Sequence, residues 1–485
     1  MFKPKILIYL AIVGLMSACG GGSGGSDSDS DSLAGKEAST GVITGFGSVF
    51  VNGIRYHTNS ATITADDSLL NDVTDLSVGM VATVTSDTST NVASSVKYEE
   101  DIKGPIDATV SNFDSPFSVM GQTVIVDSAT VVDNSLTFPI NSGEILEISG
   151  MRLANDLLLA TFIEDKAPGN VNKYKVIGIA RAVDTNAKTF NIGGLSVNYG
   201  SADVNDLAGG NPDEGQLLEV KDENKAYVAG SGMLNATKVE PFDRFSGNGG
   251  NNAGIQNIQI ETAVIGISVP GEQFQIPGFN VNILPSTNFL FGTANEIGVG
   301  TVLQIKARRT ANGELDAIRI KFKRNSARME APVDTDGVDV ANNRLTVLGI
   351  TVQINSGTDM EDDRDDVSPF TINNINDNDY LEIRGFTAAN GLFVATRLER
   401  DDADSKVTLR GIASNVDPVA QSLEISGISI TAGPATVFND GATSASAFFG
   451  ALTDGLSNVK VKWDPFVNVG FAPKEIELED DFSNN

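Results

Sequence analysis

One hairpin pattern occurs six times along the chain, and it constrains the fold more than any other feature. The pattern is an apolar residue, a spacer, Val or Ile, a spacer, Gly, two more residues and then an apolar one. It runs from Val49 through Val51 to Gly53 and closes at Tyr56. It returns as Phe117, Val119, Gly121 and Val124, and as Phe190, Ile192, Gly193-Gly194 and Val197. The fourth copy is Phe274, Ile276, Gly278 and Val281, and the fifth is Leu345, Val347, Gly349 and Val352. The sixth is Leu423, Ile425, Gly427 and Ile430. Alternation puts the two apolar residues of the incoming strand on one face. Glycine supplies the positive φ that a two-residue turn requires.

Further strands recur at fixed places around each hairpin. A strand follows a glycine at Gly79, Gly143, Gly215 and Gly300; Asn378 takes that place in the fifth copy, and Gly455 is displaced in the sixth. A closing strand starts from Ala93, Ala160, Ala236, Ala317, Ala395 and Ala472. Glycine-to-glycine spacings of 68, 73, 84, 71 and 78 residues are too long for solenoid coils and suit small domains. Five short strands per unit predict an all-β chain of six tandem small OB-like β-barrels, with a β-sandwich as the alternative. The expected boundaries are 41–101, 102–165, 175–241, 257–325, 326–402 and 406–480. Linker-like stretches at 165–174, Gly247 to Gly254 and Arg400 to Asp404 predict an extended string of domains.

The run from Gly41 to Gly53 resembles a recurrent domain of unknown function found in tandem in proteobacterial lipoproteins. The resemblance is strongest over about residues 41–100. It implies a fold and a location, and it carries no catalytic motif.

Residues 1–18 are laid out as a secretory signal: Lys3 and Lys5, an apolar run from Ile6 to Met16, then Ser17 and Ala18. The run is about half of the ~20 residues a spanning helix needs. Cys19 is the one cysteine of the chain, which is odd under a disulfide reading and makes sense as a covalent attachment point. Met16-Ser17-Ala18-Cys19 resembles a lipobox, which implies acylation of Cys19 and a membrane partner held through the lipid. Gly20, standing where an aspartate would retain the protein, implies the outer membrane, facing either the periplasm or the surface. Residues 19–40 then form a Gly/Ser/Asp tether with nothing to bury.

Net charge is −29, and removing Lys3 and Lys5 with the leader makes it −31. Such a surface repels nucleic acid and anionic headgroups. His57 is the sole histidine and reads as a surface strand residue; no nucleotide loop or nucleophile elbow occurs. No cofactor is expected. The acids from Asp359 to Asp366, flanked by Asp334, Asp336, Asp339 and Asp377, leave calcium as the one metal to consider, though no EF-hand spacing is present. Trp463 is the single tryptophan available to stack on a sugar.

One basic region stands against this acidity, from Lys306 to Arg328. Within it Arg319, Lys321 and Lys323 alternate with Ile320 and Phe322, which places the three cations on one strand face. That face is either solvated, turned to the acidic loop Asp359 to Asp366 of the next unit, or open to a phosphate-rich glycan. The expected function is a non-enzymatic envelope lipoprotein presenting β domains to an envelope protein or extracellular partner. Glycan binding is the alternative, and an envelope hydrolase built on a carboxylate pair is a third class.

Overall fold

The computed structural model describes residues 35–46, 48–66, 68–113, 115–126, 130–245, 255–323, 327–388, 392–438, 444–455 and 457–479. Cys19, the leader, most of the tether and the Gly247 to Gly254 stretch lie outside them.

The fourth unit shows how the repeat folds. Its first strand, Asn257–Ala263, continues after a bend as Gly266–Val269, which pairs antiparallel with Gln273–Ile276. That strand pairs antiparallel with Phe279–Leu290, which runs parallel to the closing strand Leu315–Phe322. The closing strand pairs with Val302–Arg309, and Val302–Arg309 returns to Asn257–Ala263. The spatial order 1-2-3-5-4-1 closes the sheet and is the connectivity of an OB-like barrel. The fifth unit closes the same way: its first strand Ala327–Asp339 pairs with both Arg344–Val347 and Tyr380–Thr387, and Ile350–Gln353 runs parallel to Phe393–Asp401. Barrels, not sandwiches, are what the repeat builds.

The turn chemistry follows the backbone angles. The hairpin glycines Gly53, Gly121, Gly349 and Gly427 all have φ between 71° and 86°, and the residues before them, Asn52, Met120, Leu348 and Ser426, are also left-handed. Two positive φ values in succession make a type I′ turn, the hand that matches strand twist. Met120 and Leu348 tolerate this because both are buried, at 0% and 4% exposure. Before the fourth strand, Asn378 holds φ +66° where the other units use glycine at +82° to +93° or, displaced in the sixth unit, +74°. Asparagine is among the few residues that enter this region readily.

The expected string of separate domains is not what the chain forms. Residues 33–485 make one compact unit. Its barrels are joined in pairs through their first strands: Lys36–Phe46 runs parallel to Asn257–Ala263, Ile102–Pro105 pairs with Tyr174–Ile179, and Ala327–Asp339 pairs with Val407–Ile412. Units one and four, two and three, and five and six thus share sheets. One apolar core runs through units two and three, from Ile102 to Val239, and another through units five and six, from Ala327 to Ile476. The physical reason is the edge rule. Each first strand pairs along one edge with the fourth strand of its own barrel and leaves the other edge open, which another first strand covers. The Arg400 to Asp404 stretch is no loose linker either, since the strand continues to Asp401 and Arg400 is buried against Asp362 at 2.6 Å.

Pairing has an electrostatic consequence. In units two and three the register places Lys103 opposite Lys175, Lys175 opposite Lys221 and Lys221 opposite Lys238. Like charges directly opposite each other destabilise a sheet. Asp66 of unit one sits over this row, 2.8 Å from Lys103 and 3.1 Å from both Lys175 and Lys173. Glu100 adds contacts of 2.7 Å to Lys103 and 3.2 Å to Lys175, a lysine with no exposed side-chain surface. Burial alone would raise the Asp66 carboxyl, but Lys175, Lys103 and Lys173 hold it far below the usual carboxylate range. The stability Asp66 contributes is therefore present above about pH 4 and lost as pH falls through its depressed value.

We predict that Asp66→Asn costs about 2–4 kcal/mol, because it removes the one carboxylate shared by Lys103, Lys173 and Lys175 and leaves the buried lysines with Glu100 and Glu219 alone to offset them. Urea unfolding at pH 7 measures it. A loss below about 1 kcal/mol would mean that Asp66 does not hold unit one to the lysine row.

Candidate functional site: a charged cavity over an arginine row

The five–six pair carries a second charged row, made of arginines. Strand register aligns Asp359, Arg397, Arg384, Arg328, Arg410, Lys460 and Glu477 across seven adjacent strands. Two residues along each strand lies a second row that begins Glu361, Glu399, Glu382 and Glu330. Side chains two apart share a face, so Arg397, Arg384 and Arg328 each meet the glutamate row. Arg397 reaches Glu361 at 2.7 Å and Glu399 at 2.8 Å. Arg328 reaches Glu382 at 2.6 Å and Glu330 at 2.7 Å. Arg384 binds Glu382 through Nε at 2.7 Å.

A cavity of about 420 Å³ lies over these rows. That volume is within the range of small-molecule sites. One wall is the charged sheet face of unit five with Arg410 of unit six. The lining also includes Val42, Val78 and Val131 of units one and two, and Lys321, Lys323 and Glu261 of unit four.

The basic strand from the sequence comes to this cavity in a form the solvated reading did not foresee. Ile320 and Phe322 are buried in the barrel core, as the alternation requires, but Lys321 on the other face is only 3% exposed. It pairs with Asp359 of unit five at 2.8 Å and stands 5.8 Å from the Phe291 ring centre. Burial pushes the Lys321 ammonium down, with Asp359 opposing the shift. Lys323 turns instead to Glu261 of its own unit at 3.1 Å. Arg319 lies opposite Lys306 in the same row. From the acidic loop, Asp359 meets this strand through Lys321. Asp362 forms a two-armed pair with Arg400, at 2.8 and 2.6 Å, and Arg364 binds Asp365 and Asp379. The hairpin glycine of unit one closes the joint: a Cβ on Gly53 would stand 2.6 Å from the Asp359 carboxyl carbon.

The other candidates are placed as follows. His57 is exposed. Trp463 is 2% exposed and donates from Nε1 to the Phe471 carbonyl at 2.9 Å, so its faces are not open to a sugar. Asp334 accepts from the Leu348 and Gly349 amides, and Asp377 accepts from the Asp336 and Gly337 amides, so these acids hold turns. Asp363, Glu399 and Asp401 do converge, with one oxygen each within 4.8 Å of the others. They would supply three of the six to eight oxygens that calcium takes. Their crowding has another effect. Burial comes first, and a hydrogen bond with Asp363 and its charge add to it, so that Glu399 is pushed up to about 7 against the pull of Arg397.

The sequence reading missed the arginine row. The signal was present as a charged pair flanking one apolar residue on three strands: Arg328-Met329-Glu330, Glu382-Ile383-Arg384 and Arg397-Leu398-Glu399.

Three segments match a known family model. It is a domain of unknown function, DUF5666, and the matched residues are 103–164, 265–321 and 333–399. They fall in the second, fourth and fifth barrels, whereas the resemblance read from the sequence was strongest over residues 41–100. The match supports tandem small domains of one type. No curated protein matches the chain. Among solved structures, one titled "drosophila Unr CSD456" is 12% identical, covers 48% of this chain and 99% of its own, and superposes with a TM-score of 0.11. The barrel assignment rests on strand order.

Glu399 gives a pH signature. A carboxyl whose pKa is raised by folding stabilises the fold fully below its unfolded value and loses that contribution as pH rises through the folded one. The window runs from about 4.5 to about 7. We predict that Glu399→Gln, which mimics the protonated form, is more stable than the parent protein at pH 8 by about 1–3 kcal/mol and close to it at pH 4.5. Thermal melts across that range check it. An equal offset at both pH values would show that Glu399 does not titrate in the window.

Proposed function

We propose that the protein is a non-enzymatic, lipid-anchored protein of the cell envelope, with its barrels locked together as one body that interacts with envelope or extracellular components. The observation that carries this reading is the disposition of charge. The buried ionisable groups at the joints pair with one another, Lys175 with Asp66 and Lys321 with Asp359, rather than forming a nucleophile with its base. Groups used this way fix geometry. The lipobox-like run ending at Cys19 supports the anchor, and Gly20 supports the outer membrane.

A hydrolase is the second reading, favoured by the convergence of Asp363, Glu399 and Asp401. Burial and this crowding push Glu399 up to about 7, the range of a general acid. Turnover of an envelope glycan that Glu399→Gln abolishes would replace the binding reading with that one. Glycan binding by aromatic stacking has less support, with Trp463 enclosed.

We predict that Cys19→Ser abolishes acylation. Metabolic labelling with an alkyne fatty acid reads it directly, and the variant should appear in the soluble or unprocessed fraction. Equal labelling of variant and parent would sink the lipid-anchored part of the proposal.

A further inference from the structure

The two charged rows of the molecule are neutralised differently. Over the lysine row, a carboxylate from another barrel bridges the cations: Asp66 lies within 3.1 Å of Lys103, Lys173 and Lys175. Over the arginine row no carboxylate from a neighbouring barrel occupies that position among the described residues, and the cavity of about 420 Å³ is there instead.

The glutamates do not use up the arginines. Arg384 is held only through Nε, by Glu382, so neither of its terminal nitrogens has a hydrogen-bond partner among the described residues. Arg328 and Arg397 make their ion pairs through Nη2, which leaves Nη1 of each without one. All three arginines line the cavity and stand directly across from one another on adjacent strands. Neighbouring strands lie about 4.8 Å apart, so three guanidinium groups project within reach of a single small anion. Counting the whole lining, Lys321, Lys323, Arg328, Arg384, Arg397 and Arg410 face five carboxylates. With Glu399 partly protonated near neutrality, the cavity is cationic inside a chain of net charge −29.

We infer that this cavity is a binding site for a phosphate group carried by a small molecule, held by Arg328, Arg384 and Arg397. A carboxylate matches one guanidinium fork, whereas a phosphate ester offers three oxygens that three forks can share. Val42, Val78 and Val131 in the lining suit an organic portion attached to the phosphate. The ligand would serve the arginine row as Asp66 serves the lysine row. The inference rests on the cavity alone and stands or falls independently of the lipid anchor.

Calorimetric titration of the mature protein in detergent, at low ionic strength and pH 7, tests it with two probes, inorganic phosphate and glucose 6-phosphate. At least one should bind with a sub-millimolar Kd. Tenfold or tighter binding of glucose 6-phosphate assigns the site to a phosphorylated organic molecule; weaker or equal binding assigns it to the free ion and overturns the organic portion of the inference. Arg384→Gln should weaken binding at least tenfold. Arg384→Lys keeps the charge but loses the fork, and it should weaken binding severalfold while preserving the thermal melt. Arg364→Gln, whose partners Asp365 and Asp379 are not among the cavity residues, should bind as the parent does. Absence of heat with both probes, or affinity unchanged in both Arg384 variants, would overturn the inference and leave the arginines solvated by water.

Discussion

Pairing two barrels through their first strands brings like charges into register, and the rest of the assembly answers that constraint. Lys103, Lys175 and Lys221 come to lie opposite one another because the strands that carry them extend a common sheet. Such a row cannot be buried alone. Counter-charges must arrive from the same sheet, as Glu219 does at 3.4 Å from Lys175, or from another barrel, as Asp66 and Glu100 do. Once a third barrel supplies the counter-charge, it is fixed in place. The same requirement is met in the five–six pair by an adjacent row of glutamates, and between units four and five by Lys321 and Asp359.

Buried ion pairs of this kind hold geometry more than they add stability. Removing water from both charges cancels much of their attraction, while loss of one partner leaves an isolated buried charge. Because they are buried, salt screens them less than it would an exposed pair. The apolar cores within each barrel pair supply the folding free energy, and the charged joints set which faces meet. Backbone contacts finish the joints: the Gly194 amide donates to the Gly121 carbonyl at 2.9 Å, and Gln304 donates to the Asn52 carbonyl at 2.7 Å. Gly53 and Gly121 therefore serve twice, once for the turn and once for close approach, whereas Gly349 and Gly427 serve the turn alone. A Cβ on Gly121 would meet the Leu195 backbone at 2.8 Å.

Local structure was legible in the sequence because it depends on short-range rules. The alternation before each hairpin glycine gave the strand faces, and Val49, Val119, Ile192, Ile276, Val347 and Ile425 are all enclosed. Asn378 was recognised as a substitute for glycine, and its left-handed backbone is the reason. The burial of Lys321 was not legible. Alternation reports that a residue leaves its own barrel's core; it does not report whether water or another barrel lies on the far side. The arginine row was hidden by register: Arg328, Arg384 and Arg397 align only when the strands of unit five pair, and Arg410, 82 residues from Arg328, joins them when unit six pairs with unit five. The expectation of a loose linker from Arg400 to Asp404 failed for a related reason. Acidic composition between Arg400 and Asp404 signals exposure only when no arginine folds back, and Arg400 folds back onto Asp362.

The central claim is that no barrel is an independent folding unit. Differential scanning calorimetry of the mature protein tests it most directly. A lone barrel of about 70 residues would unfold with an enthalpy near 50 kcal/mol at the average per-residue value. The account predicts that every transition carries the enthalpy of at least two barrels, because each shares a sheet with a partner. A resolved transition of single-barrel size would contradict it.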